Sequence, residues 1–63
     1  MNKETLKGKW EQLKGNVQKQ WGKLTDDDIE VIQGNAKVLV GKLQERYGMT
    51  KEEAQKAVDE FDI

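Results

Sequence analysis

Residues 21–28 read WGKLTDDD, a string in which one helix ends and another begins. Gly22 follows the last aromatic residue of a periodic stretch, at the point where a left-handed glycine commonly closes a helix. Thr25 is followed three residues later by Asp28, the spacing of a capping box, in which each side chain accepts a hydrogen bond from the other residue's backbone N–H. The string therefore predicts a helix end at Gly22 and a helix start at Thr25.

The same signals recur further along the chain. Glycines stand at positions 8, 15, 22, 34, 41 and 48, which are two sets of three offset by 26 residues. Tyr47 and Gly48 repeat the aromatic-glycine end, and Thr50 with Glu53 repeats the capping-box spacing. The sequence therefore predicts two structurally equivalent halves.

Apolar residues recur every three or four positions, which is the spacing of one buried face of an amphipathic helix. The chain contains no proline and few runs of β-branched residues, so strands have little support and the predicted fold class is all-α. Both tryptophans fall on the buried face. The predicted core residues are Leu6, Trp10, Leu13, Val17, Trp21, Leu24, Ile29, Ile32, Ala36, Leu39, Val40, Leu43, Tyr47, Ala54, Ala57, Val58 and Phe61.

The remaining glycines need an explanation, because an exposed glycine inside a helix costs about 0.8–1 kcal/mol relative to alanine. Gly8 and Gly15 lie roughly opposite the apolar face of the first stretch. Three interpretations compete. In the first, the helices break near Gly15 and near Gly34. In the second, the glycines permit close approach of two backbones, and in the third they keep the stability of the fold low. The sequence favours the breaks, which would give two short antiparallel hairpins.

Val31 and Val38 stand seven residues apart, beside Gly34 and Gly41 and away from the main apolar face. If residues 29–47 form one straight helix, these four residues make a small apolar groove suited to a partner helix. If the segment bends at Gly34, the two valines belong to the core. The second interpretation is the favoured one.

The composition excludes several kinds of function. The 63 residues contain no cysteine and no histidine. A Cys/His zinc site, a disulfide, a cysteine nucleophile and a histidine general base are therefore all excluded. The longest apolar run is three residues, so we expect no membrane span. We predict no catalytic residue, no cofactor, no metal and no small-molecule substrate.

Two local patterns suggest chemistry and have simpler explanations. Asp26, Asp27 and Asp28 form a dense carboxylate cluster, but consecutive residues in a first helical turn point in different directions and suit helix capping better than a metal. Residues 1–24 carry a net charge of +4 and residues 25–63 one of −5, so a basic, tryptophan-bearing segment could bind nucleic acid. The tryptophans, however, lie on the predicted buried face and not beside the lysines.

The strings WGKLTDDD at 21–28 and GKLQERYG at 41–48, together with Gly15 and Gly34, strongly resemble the CsbD-like family of small bacterial general-stress proteins. The resemblance covers essentially the whole chain, as one domain over residues 1–63. It implies a cytoplasmic protein raised under general or osmotic stress, without established catalytic activity. It also implies an all-α fold of two helical hairpins packed roughly at right angles, similar to SAM-domain bundles. It supplies no catalytic or binding residues.

Three functions follow from these observations. The first is a non-enzymatic, hydrophilin-like protective role, suggested by a 37% charged composition and a mean hydropathy of −0.94. The second is a helical interaction module that uses the groove at Val31, Gly34, Val38 and Gly41 for weak self-association or for a protein partner. The third is nucleic-acid binding. The residues that would carry it are Lys7, Lys9, Lys14 and Lys23.

Overall fold

The computed structural model describes residues 3–61, which form five α-helices and no strand. The all-α prediction is confirmed. The helices are α1 (Lys3–Gly8), α2 (Trp10–Gln20), α3 (Asp26–Ile32), α4 (Ala36–Tyr47) and α5 (Lys51–Glu60).

Both predicted capping boxes are present. At the start of α3, the Asp28 N–H donates to Thr25 Oγ1 at 3.1 Å and the Thr25 N–H donates to Asp28 Oδ2 at 3.0 Å. At the start of α5, the Glu53 N–H donates to Thr50 Oγ1 at 3.1 Å and the Thr50 N–H donates to Glu53 Oε1 at 2.8 Å. Each box satisfies backbone N–H groups that have no partner inside the helix, which fixes where the helix begins.

The two predicted glycine helix ends have different outcomes. Gly48 closes α4 in the left-handed conformation with φ of 66°, and its N–H donates to the Gln44 carbonyl, as predicted. At Gly22 the predicted helix end is confirmed, since α2 ends at Gln20 with Trp21 as its C-cap, but the predicted left-handed conformation is wrong, because Gly22 has no positive φ. The chain instead leaves α2 through a turn in which the Leu24 N–H donates to the Trp21 carbonyl at 3.0 Å.

The helix break predicted near Gly34 is confirmed, and the one predicted near Gly15 is wrong. Gly15 lies inside α2, which runs without interruption because its buried residues continue on one face across the glycine. In the first half of the chain, the helices are instead separated between α1 and α2, at Lys9. Gly41 likewise lies inside α4.

Gly34 is required both by its conformation and by its neighbours. It has a φ of 79°, and the preceding Gln33 has a φ of 42°. A Cβ atom at position 34 would lie 3.0 Å from the Lys7 Cα and 3.1 Å from the Trp10 Cβ. Close backbone approach, the second interpretation of the glycines, therefore also applies at this position. It does not apply at Gly8, Gly15 or Gly41, where a Cβ would meet nothing within 4 Å.

The core forms around α4, which packs against α1, α3 and α5. Every residue of the predicted apolar helix face is buried or half-buried, including both tryptophans. Trp21 at the end of α2 packs on Phe61 at the end of α5, with ring centroids 5.1 Å apart. Val38, expected in the core if the chain bends at Gly34, packs at the edge of this core, as does Met49, which was not predicted there.

The starts of α2 and α4 agree with the 26-residue offset between the two halves. α2 begins at Trp10 and α4 begins at Ala36, and each follows a short non-helical segment. The packing of two hairpins at right angles stays a prediction.

Candidate functional site

Asp28 joins the two sequence motifs, which we call the motif strings: WGKLTDDD at 21–28 and GKLQERYG at 41–48. It is only 2% exposed and is the one buried charged residue within residues 3–61. Arg46 holds both of its oxygens, with Nε donating to Oδ2 at 2.9 Å and Nη2 donating to Oδ1 at 3.0 Å. Lys42 approaches from the preceding turn of α4, with Nζ 3.1 Å from Oδ1. One carboxylate thus caps α3 and ties it to α4.

The electrostatics of this cluster favour the ionised form of the Asp28 carboxylate. The hydrogen bonds from Arg46, and next the backbone hydrogen bond at Thr25, hold the pKa of Asp28 well below its ordinary value, and they outweigh the opposite effect of burial. Asp28 in turn raises the pKa of Arg46. Because both oxygens already accept hydrogen bonds, Asp28 is not available for proton transfer to a substrate. The cluster therefore has a structural role, which is to hold α3 against α4.

A second contact joins the same two strings. The Lys23 backbone N–H donates to the Tyr47 hydroxyl at 3.1 Å, and Lys23 Nζ lies 5.2 Å from the centre of the Tyr47 ring. Gln18 of α2 supports the turn, with Nε2 donating to Asp26 Oδ1 at 2.9 Å. The residues that carried the family resemblance therefore serve to join parts of the fold.

The described residues offer little to metal or acid–base chemistry. Asp26 and Asp27 are exposed while Asp28 points inward, so the three carboxylates diverge. No group of three or more acidic side chains between residues 3 and 61 is placed to hold a metal ion. No buried side-chain nitrogen or oxygen in the same range lacks a hydrogen-bond partner that a ligand would need to supply.

The structure brings three of the four predicted groove residues together. Val31, Gly34 and Val38 line a shallow depression between α1 and the α3–α4 turn. Gly41 is not among the lining residues. The expectation that a bend would place both valines in the core holds for Val38, which is half-buried, and is wrong for Val31, which is 60% exposed. The partner groove itself stays a prediction.

The depression has a basic rim. Three lysines line it with the apolar residues, and the acidic residue among the lining side chains is Glu4. We call this feature the Val31 depression and define it by Val31, Gly34 and Val38 with Lys3, Lys7 and Lys37. Its volume is about 590 Å³.

The lysines predicted for nucleic-acid binding are only partly grouped. Lys7, Lys9 and Lys14 line a second open depression beside Trp10. Lys14 forms an ion pair with Glu11 at 3.0 Å, and Lys23 lies elsewhere, over Tyr47.

The Asp28–Arg46 pair was missed at the level of sequence. One signal could have indicated it, because Arg46 is the only arginine beside ten lysines. Arginine is the side chain that binds a carboxylate through two parallel hydrogen bonds, so a single arginine in a chain whose other basic residues are all lysines points to such a contact.

Within residues 3–61, no helix combines the length and apolar character that crossing a bilayer requires.

Comparison with known proteins identifies relatives over nearly the full chain. The CsbD-like family profile matches residues 4–56. The chain is 54% identical over 61 residues to the UPF0337 protein PA4738 of Pseudomonas aeruginosa, covering 97% of this chain and 94% of the relative. It is 53% identical over 62 residues to the UPF0337 protein YjbJ of Escherichia coli K12, covering 98% and 90% of the two chains. No solved structure matches the chain significantly.

Proposed function

The chain belongs to the CsbD-like family, and from this membership we propose that it is a non-enzymatic stress protein that protects other macromolecules in the manner of a hydrophilin. The protective effect would come from the whole hydrated surface of the protein and would not need a catalytic site. The two motif strings support this proposal because their polar side chains are used in capping and in joining helices.

The distribution of apolar side chains carries the proposal. In the part of the chain that the structure describes, Val31 is the one large apolar residue that is exposed. The rest of the surface is formed largely by charged and polar side chains of both signs. Large exposed apolar patches drive association, so their scarcity supports solubility at high abundance.

Repulsion between molecules contributes little to that solubility, because the formal net charge is only −1. Hydration of individual charged side chains must do most of it. As water is withdrawn, such molecules would stand between other proteins and keep the apolar surfaces of those proteins apart.

Two further expectations belong to this proposal and rest on the family resemblance. The protein would act in the cytoplasm, where it would accumulate under general or osmotic stress. Its helices would pack as two hairpins at roughly right angles, as in SAM-domain bundles.

Drying a desiccation-sensitive enzyme together with this protein tests the protective role. We expect more activity to be recovered after rehydration than with an equal mass of an inert globular protein of similar size. A variant with Lys19, Glu52, Lys56 and Glu60 replaced by alanine should protect less, because it keeps the net charge and the helices but loses hydrated surface. The matched control replaces the same lysines by arginine and the same glutamates by aspartate.

Equal protection by the inert protein would contradict the proposal. So would full protection by the alanine variant, provided that circular dichroism shows both variants to be as helical as the parent protein.

The exposure of Val31 favours a second candidate function, an interaction module that binds a partner at the Val31 depression. An exposed aliphatic side chain within a concave, partly apolar surface is a common anchor point for a helix. Val31→Ser tests this role better than a change at Val38, because Val38 also packs against the core.

A further inference from the structure

We propose that the Val31 depression is a docking site for an acidic amphipathic helix of another protein. This inference rests on the second candidate function and names the chemistry of its partner. The apolar part of the site consists of the exposed Val31 side chain and the half-buried Val38, on either side of the Gly34 turn.

The shape of the site is set by Gly34. A glycine at this position lets the α3–α4 turn approach α1 so closely that a Cβ atom would lie 3.0 Å from the Lys7 Cα. The α3–α4 turn is thus held against α1, and the concave surface beside it is lined by residues of α1, the end of α3 and the start of α4. A concave surface suits a protruding side chain on a helix better than the flat surface of a bilayer.

The charges around the site indicate an acidic partner. Lys3, Lys7 and Lys37 line the depression, and Glu4 is the opposing charge among the lining residues. An aliphatic anchor flanked by carboxylates one turn away on either side would meet Val31 with its apolar group and the lysines with its charges. Complementary charge of this kind speeds encounter and selects the partner.

Two other occupants fit less well. A second copy of this chain would supply no apolar anchor from residues 3–61 except its own Val31, and a symmetric contact would bring two basic rims together. Single-stranded nucleic acid would find phosphate contacts but no fully exposed aromatic ring for its bases, since Trp10, Trp21 and Phe61 are buried and the half-buried Tyr47 ring has Lys23 over it.

The experiment is a titration of the isotope-labelled full chain, followed by backbone amide NMR. The probe is a designed helical peptide of about 16 residues with leucines at helical spacing and flanking glutamates. A second peptide carries lysines in place of the glutamates. We expect saturable shifts at Val31, Val38 and the facing residues of α1 with the acidic peptide only, and weaker binding as salt is raised.

Variants separate the two parts of the site. Val31→Ser should weaken binding of the acidic peptide about tenfold by removing the apolar contact, without a change in helicity. Lys37→Glu should also weaken it about tenfold, whereas Lys56→Glu, the same change of charge on the exposed side of α5, should leave it unchanged.

Several results would overturn the inference. These are equal binding of both peptides, shifts located away from the depression, or no saturable binding of the acidic peptide. Concentration-dependent shifts at Val31 without peptide would assign the site to a second copy, and Val31-dependent sedimentation with phosphatidylglycerol vesicles would assign it to a membrane. Either of these two results refutes the acidic-helix partner while leaving an interaction module in place. Absence of any Val31-dependent binding to the peptides, to a second copy or to the vesicles refutes both.

Discussion

Asp28 combines two tasks in one buried carboxylate. It completes the capping box of α3 through Thr25, and it receives two hydrogen bonds from Arg46 of α4. Both partner side chains from α4 remain in part accessible to water, with Arg46 38% and Lys42 21% exposed. The two cations thus keep some of their hydration, while the Asp28 carboxylate loses nearly all of its own. Of these three residues, Asp28 is therefore the one whose replacement should lower the stability of the fold most.

Replacement of Asp28 should change how stability depends on pH. The pKa of Asp28 is lowered in the folded protein from an ordinary value of 3.8, so its contribution to stability is fully present above that pH and is lost as pH falls below it. In Asp28→Asn this loss cannot occur. At pH 3 the variant should therefore take up roughly one proton fewer on unfolding than the parent protein, as measured from the slope of unfolding free energy against pH.

Asp27→Asn is the control, because Asp27 is exposed and its replacement changes the net charge by the same amount. The electrostatic account of Asp28 fails if Asp28→Asn and the parent protein lose stability with the same slope below pH 4.

The capping boxes were predictable from sequence and the Asp28–Arg46 contact was not, for a physical reason. A capping box depends on residues three positions apart, so the local sequence contains all of it. Asp28 and Arg46 are 18 residues apart, and they meet only because α3 and α4 fold back on one another at Gly34. The local sequence is enough to predict a helix end, whereas a contact between two helices can be predicted only when the fold is known.

The same distinction explains the glycines at the level of helices. Gly15 and Gly34 look equivalent as isolated glycines between apolar residues, yet only Gly34 lies at a break. What separates them is the close contact of Gly34 with α1, which no local pattern reveals. The offset of 26 residues was the better guide, because it pairs Gly34 with Gly8, and α1 ends at Gly8.

Alanine substitutions should therefore have opposite effects at these two glycines. Gly15→Ala should raise the free energy of unfolding by about 0.8–1 kcal/mol, since the helix gains propensity and the new Cβ meets nothing within 4 Å. Gly34→Ala should lower it by at least about 1–2 kcal/mol from the left-handed backbone alone, and further from contact with Lys7 and Trp10. Urea unfolding followed by circular dichroism measures both.

Gly41→Ala provides the control for the first change, because Gly41 is also exposed inside a helix with open space around it. Stabilisation by Gly34→Ala, or destabilisation by both Gly15→Ala and Gly41→Ala, would contradict this account of the breaks.

At the scale of the whole molecule, α4 organises a small core. It contacts α1, α3 and α5, and the Trp21–Phe61 contact joins the ends of α2 and α5. A domain of this size buries a smaller share of its surface than a larger one, so its net stability is low and each tie between helices counts. Between residues 3 and 61, every large apolar side chain except Val31 is buried or half-buried, and this leaves the charged exterior on which the proposed protective role depends.

The location of the apolar residues was the most predictable feature of the molecule. Spacing at three and four residues identified both tryptophans as buried, and the structure places Trp10 and Trp21 at 8% and 5% exposure. Val31 was the exception. It was expected in the core after a bend at Gly34, but the turn directs it toward solvent beside α1.

Quenching of tryptophan fluorescence by acrylamide in dilute native buffer tests the burial of these side chains most directly. We predict an emission maximum to the blue of free indole and weak quenching, with both changing together in one cooperative transition as urea is added. Water-like emission and full quenching before any urea is added would contradict the account, because the apolar side chains would then not be enclosed and the exterior would not be the charged surface described.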